Sequence, residues 1–121
     1  MMKTTLRHEP PVLLLDESGM IQDSSKSVEE LFGYRQSELV WQHISCLIPQ
    51  LSEVVLIQKG RVNRQLEFIC HCGHIFMGLN RNGDTFPNEL CLILLEHDGL
   101  HTLRLIVRPL TAEDHNYLMA S

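Results

Sequence analysis

The sequence predicts an α+β fold, a five-stranded antiparallel sheet with short helices packed on one face. Three observations lead there. Two strand-like segments open the chain, several short helical stretches follow, and three strand-like segments close it. Asn82-Gly83, the strongest short hairpin signal in a sequence, stands between two of the closing strands. The last strand alternates, with Leu103, Leu105 and Val107 on one face and Arg104, Ile106 and Arg108 on the other. A chain of 121 residues is one domain's worth. It can bury about two-thirds of its unfolded surface.

Taken in order, residues 11–16 read as a short buried strand, 17–19 as a turn and 20–23 as a returning strand. Serines at 24–27 offer N-caps for a helix over 28–32, which Gly33 can end. Ser37 can cap a short helix near 38–41, and Pro49 breaks the chain. Ser52 is expected to cap a helix over 53–59, with Glu53 at its positive end and Gly60 as its stop. Residues 66–72 read as a weaker strand and 75–80 as a firmer one ending in the Asn-Gly turn. Residues 86–96 and 103–110 form a second hairpin around His97-Asp98-Gly99. Pro87 cannot donate to a ladder and belongs at the start or open edge of its strand.

The composition is 44% hydrophobic and 21% charged, which excludes a disordered chain. A formal charge of −5 without any Lys/Arg run makes nucleic acid and anionic membrane poor partners. The apolar runs are too short to span a bilayer, and no charged segment followed by an apolar stretch opens the chain. Four cysteines (46, 70, 72 and 91) without a disulfide-framework spacing fit a reduced, cytoplasmic setting. Catalytic arrangements are missing: no phosphate-binding glycine loop and no nucleophile in an elbow context, so no enzyme is expected.

Two features stand out. In the strand over 86–96, Leu90, Leu92 and Leu94 oppose Cys91, Ile93 and Leu95, so both faces are apolar. Ile93, Leu95 and Ile106 would stay wet unless the chain's own termini or a dimer partner cover them. The other is "CHCGH". If residues 70–74 are extended, Cys70, Cys72 and His74 share a face and could hold a soft metal. No second ligand pair is visible, however, and small cysteines filling a strand account for the same pattern.

The segments "VEELFGYRQSELV", "ISCLIP", "RNGDTFPNEL" and "IVRPLTAED", in that order and spacing, resemble a PAS domain. The likeness runs from about residue 11 to 114. It implies a flexible segment over 1–10, a PAS sensory domain over 11–111, and the start of a linker to an output domain over 112–121. The hairpin at 81–84 stands where the family joins the third and fourth strands of its sheet, and Phe86 opens the strand whose inward face backs a ligand cavity. The segment 73–78 is most similar to the branch that includes bacterial heme oxygen sensors. Those members place an arginine where His74 stands and an axial histidine on the preceding helix. The helix expected at 53–59 has no histidine, so heme of that type is not expected. Cys46 lacks the neighbours of the reactive cysteine in the flavin-photosensor branch, so a photoactive flavin is not expected either. The chain also departs from the family at Ser25 (often Asn), Trp41 (often Gly) and Pro109 (often Asp).

The resemblance implies a cytoplasmic sensory and dimerisation module that relays a small-ligand signal to an output domain of diguanylate cyclase or histidine kinase type. Candidate cavity residues, apolar and on inward faces, are Leu15, Leu31, Phe32, Ile48, Leu56, Phe76, Leu92, Leu94 and Leu105. The signal would leave through Arg108, Pro109, Leu110 and Thr111. A constitutive interaction domain with a filled core is the alternative, and a Cys/His metal or redox sensor is a third. The ligand's identity is not legible.

Overall fold

A computed structural model describes residues 9–110 of the chain. Strands β1 (Val12–Leu15) and β2 (Ile21–Ser24) form the first hairpin. Helices α1 (Lys26–Phe32) and α2 (Gln36–Leu39) follow, then 3-10 turns at Ile44–Cys46 and Pro49–Leu51. A small ladder of β3 (Ile57–Gln58) and β4 (Arg61–Val62) leads into α3 (Arg64–His71). Strands β5 (Phe76–Leu79), β6 (Thr85–His97) and β7 (Leu100–Pro109) complete the chain. The main sheet is antiparallel in the order β2-β1-β7-β6-β5, so the first and last strands pair at its centre. The helices lie on one face. This is the expected five-stranded α+β layer.

Register follows from alternation. Leu92 pairs with Leu105 and Leu94 with Leu103 on the face toward the helices, while Cys91 pairs with Ile106 and Ile93 with Arg104 on the other. A slip of one residue would turn the whole apolar set outward, so burial itself fixes the register. The inward set meets Val28 and Phe32 of α1, Leu39 of α2, Ile44, Leu47, Ile48 and Leu51 from the 3-10 region, and Leu66 of α3 in one core.

Local chemistry places the elements. Ser25 stands at the N-cap position of α1, but its hydroxyl makes no capping bond; it accepts the Val12 amide at 2.9 Å instead, binding the helix start to β1. The short helix runs over Gln36–Leu39 rather than 38–41, and Trp41 beyond it is left-handed (φ 72) and 65% exposed. An L-residue with a side chain is strained there and glycine is not, so Trp41 stands where glycine would cost less. Glu9 and Pro10, assigned to the flexible segment, accept hydrogen bonds from the Ser27 and Ser25 hydroxyls.

Two expectations about residues 53–72 are overturned. No helix forms over 53–59. Val54, Val55 and Ile57 are β-branched and disfavour helix, and Lys59 (φ 52) with Gly60 (φ 73) makes a tight left-handed turn joining β3 to β4. Nor is 66–72 a strand. Asn63 caps a helix there, its Oδ1 accepting the amides of Gln65 (2.9 Å) and Leu66 (3.1 Å). Leu66, Ile69 and Cys70, at helical spacing, face inward, while Glu67, Phe68 and His71 are exposed.

The turn between β5 and β6 has the expected form. Asn80 Oδ1 accepts the amides of Asn82 and Asp84, and Gly83 sits at φ 88. A Cβ at Gly83 would meet nothing within 4 Å, so replacement costs backbone strain alone. Gly83→Val should therefore destabilise the domain by about 1 kcal/mol or more. Equal urea midpoints for the two proteins would remove the left-handed assignment.

Candidate functional site

Phe76 and Gly78 of β5 and Phe86, Asn88 and Leu90 of β6 line the inner sheet face beneath the helices. Of the nine cavity candidates, Leu15, Phe32, Ile48, Leu56, Phe76 and Leu105 are buried in one cluster. Leu31, Leu92 and Leu94 are partly buried and pack against it. The nine converge on one layer. None of them lines the most pronounced open grooves among the described residues.

Asn88 is the residue the sequence reading passed over. It is 0% exposed, yet its Oδ1 has no hydrogen-bond partner and its Nδ2 reaches only the Phe86 carbonyl of its own strand, at 3.4 Å. Its signal was present: it shares the parity of Phe86, Leu90 and Leu92, so alternation turns a polar amide inward. A buried acceptor left without a donor costs about 1–3 kcal/mol. Gly78 on the neighbouring strand leaves the space beside the amide free of a side chain, since a Cβ there would lie 2.9 Å from Asn88 Nδ2.

Arg81 ties the hairpin turn to α2. Its Nη1 donates to both carboxylate oxygens of Glu38 at 2.9 Å, and its guanidinium lies 5.3 Å from the centre of the Tyr34 ring. The Arg35 amide and then Arg81 hold the Glu38 carboxyl below its usual range. Both side chains are exposed, and a single such pair stabilises little.

The "CHCGH" cluster does not converge as a strand would have made it. Cys70 ends the inward face of α3, Cys72 is exposed at its C-cap, and His74 lies beyond Gly73 with its ring edge-on to Phe76 at 4.7 Å. Burial and then the neighbouring Cys91 push the Cys70 thiol up to about 11, so it stays protonated at neutral pH. Among the described residues no group of three or more His, Cys, Asp or Glu is placed to hold a metal. Burial also raises the thiol of Cys46.

The premise used against heme needs correction as well. The helix before β5 is α3, and it does carry a histidine, His71. That residue is exposed, lining an outer groove with Cys70, Glu89 and Cys91, and the residues of α3 that face the core are Leu66, Ile69 and Cys70. The described residues of α3 therefore offer no imidazole to the inner face, and they do not fit an axially ligated heme there.

On the outer face Ile93 and Leu95 are 39% and 41% exposed, and Ile106 is half-buried. Leu95 joins Val12, Leu14 and Arg104 along an open groove across β1, β7 and β6. Arg108 pairs with Glu89 at 2.8 Å, Pro109 is exposed, and the Leu110 amide donates to the Pro87 carbonyl. Thr111 and residues 112–121 lie outside the described residues.

An inner apolar layer with a buried amide, under helices on a five-stranded antiparallel sheet, defines a small α+β domain with one core. The PAS domain family model matches residues 9–113, and the chain belongs to that family. It is similar to the sensor protein FixL of Bradyrhizobium diazoefficiens, 29% identical over 103 residues, and so is related to that branch. The match covers 83% of this chain but 20% of FixL, so the chain spans a fifth of that protein's length. A PAS domain from a two-component sensor histidine kinase matches at a TM-score of 0.64 with 12% identity, covering 84% of this chain and 85% of that one. The PAS domain of an HTR-like protein from Haloarcula marismortui matches at 0.63 with 18% identity, covering 86% and 84%. At these identities the structures speak for the fold alone. No helix among the described residues is long and apolar enough to cross a membrane.

Proposed function

We propose that this domain senses a small molecule bearing a hydrogen-bond donor, held between the inner sheet face and the helices, and acts by binding rather than catalysis. The observation that carries the reading is Asn88, a fully buried amide with an unused acceptor among apolar neighbours. A ligand N–H or O–H on Oδ1 would remove that desolvation penalty, and binding would bias the sheet between two arrangements. The shift would leave through β7 and Thr111 to an output domain, in the cytoplasm. The relative named as a sensor protein supports a sensory role, with the output domain of diguanylate cyclase or histidine kinase type.

The test is mass spectrometry of material released by denaturing purified protein, with Asn88→Leu beside it. A small molecule carried by the parent and lost from Asn88→Leu supports the sensor. An empty parent whose Asn88→Leu form is more stable supports the alternative, a filled-core interaction domain.

The outer face supports a homodimer. Ile93, Leu95 and Ile106 form an apolar strip on the side away from the helices, and burying what each still exposes contributes roughly 1 kcal/mol. Ile106→Glu should shift the mass seen by light scattering from dimer toward monomer while the far-ultraviolet dichroism stays unchanged. A dimer of unaltered mass would place the interface elsewhere.

A further inference from the structure

The segment 54–66 contains Lys59, Arg61 and Arg64 and not one Asp or Glu, in a chain of net charge −5. The fold gathers these cations around one groove of about 660 Å³, whose other walls are Val55, Ile57, Gln58 and Val62. They come from three elements: the β3–β4 turn, β4 and the first turn of α3. The usual reasons for a cation do not apply. Among the described residues none of the three pairs with a carboxylate, although Arg81 and Arg108 both do. Arg64 lies at the positive end of the α3 dipole, the end that favours an anion. Lys59 holds a left-handed backbone that glycine or asparagine would adopt more readily.

Like charges converging without a partner repel, and a bound anion reverses that sign. Arginine forks match phosphate oxygens two at a time. A groove of this size, lined by both apolar and cationic residues, has the dimensions of a small-molecule site rather than of an extended polypeptide surface. We propose that it binds a small phosphate- or pyrophosphate-bearing ligand. Arg61 and Arg64 hold the phosphoryl oxygens, Lys59 adds charge, and Val55 and Ile57 receive an attached apolar part. The site is separate from the inner sheet face and does not depend on Asn88.

The test is a titration of the chain with inorganic pyrophosphate at constant ionic strength of about 0.15 M, followed by amide nitrogen–proton correlation spectra. Saturable shifts confined to residues around Gln58–Arg64 are expected. Arg61→Gln and Arg64→Gln should each weaken binding about tenfold or more, the loss of one charge-assisted contact. Lys26→Gln, an exposed cation on α1, should leave it unchanged. Non-saturating shifts, or equal losses for Lys26→Gln and Arg61→Gln, would reduce the groove to general screening and overturn the proposal. A hexaglutamate peptide that saturates the same amides more tightly than pyrophosphate would overturn the ligand class.

Discussion

Phe32→Ala should remove about 3–5 kcal/mol of stability, the largest loss expected from any single truncation in this core. Phe32 is fully buried at the last turn of α1, and its ring stands 5.2 Å from that of Phe86, tilted by 54°. Two kinds of contact are lost together. The ring fills the space between α1 and the inner face of β6, and its tilted packing on Phe86 adds about 0.5–1.5 kcal/mol beyond burial. The backbone bond from the Arg81 amide to the Phe32 carbonyl, at 2.9 Å, survives the substitution, so the measured loss reports packing rather than the tether to the β5–β6 turn. A domain of this size holds about 5–15 kcal/mol in total, so the variant loses a large share of its stability. Phe32→Leu, nearer in volume, should cost markedly less. Denaturant titrations of the two variants decide the matter: similar losses would mean that the ring does not fill the core as described.

The legible parts of the fold are those in which local and global signals agree. β7 alternates and β6 is a long β-forming run joined to it by a short turn, so the hairpin and the parity of Ile93, Leu95 and Ile106 could be read from the chain. The Asn82-Gly83 and Asp98-Gly99 turns announce themselves by residue type, and both carry left-handed backbone. The segment 53–72 failed because two cap signals compete there. Ser52 and Gly60 bracket a stretch of helix length, but its β-branched residues disfavour helix, and Gly60 serves a two-residue turn instead. The stronger cap, Asn63, precedes Leu66, Ile69 and Cys70 at helical spacing, a pattern also readable as a short apolar strand. That one inversion carried further errors with it. It put Cys70, Cys72 and His74 on a common face, it hid His71 from the comparison with axial histidines, and it concealed the groove formed by Lys59, Arg61 and Arg64. Asn88 was legible by parity, but its missing hydrogen bond is a property of three dimensions that no single sequence shows.

Gly78→Val is expected to destabilise the domain by about 3 kcal/mol, through overpacking rather than backbone strain. Gly78 faces inward on β5 directly opposite Phe86, and a Cβ built there would come within 2.7 Å of Phe86 Cζ and 2.9 Å of Asn88 Nδ2. Neither neighbour yields easily. Phe86 is held on its far side by Phe32, and Asn88 lies on a strand paired on both edges, with Phe76 across one and Pro109 across the other. Gly78→Ala already forces the ring to move, and the branched valine adds two methyl groups to the same space. The clash can be separated from a general intolerance of side chains by a double-mutant cycle with Phe86→Leu, which clears the ring position. Gly78→Ala should cost less in the Phe86→Leu background than in the parent, by at least about 0.5–1 kcal/mol in urea melts. Additive losses would show that Phe86 does not lie across Gly78, and with that the packing assigned to the inner face beside Asn88 would have to be redrawn.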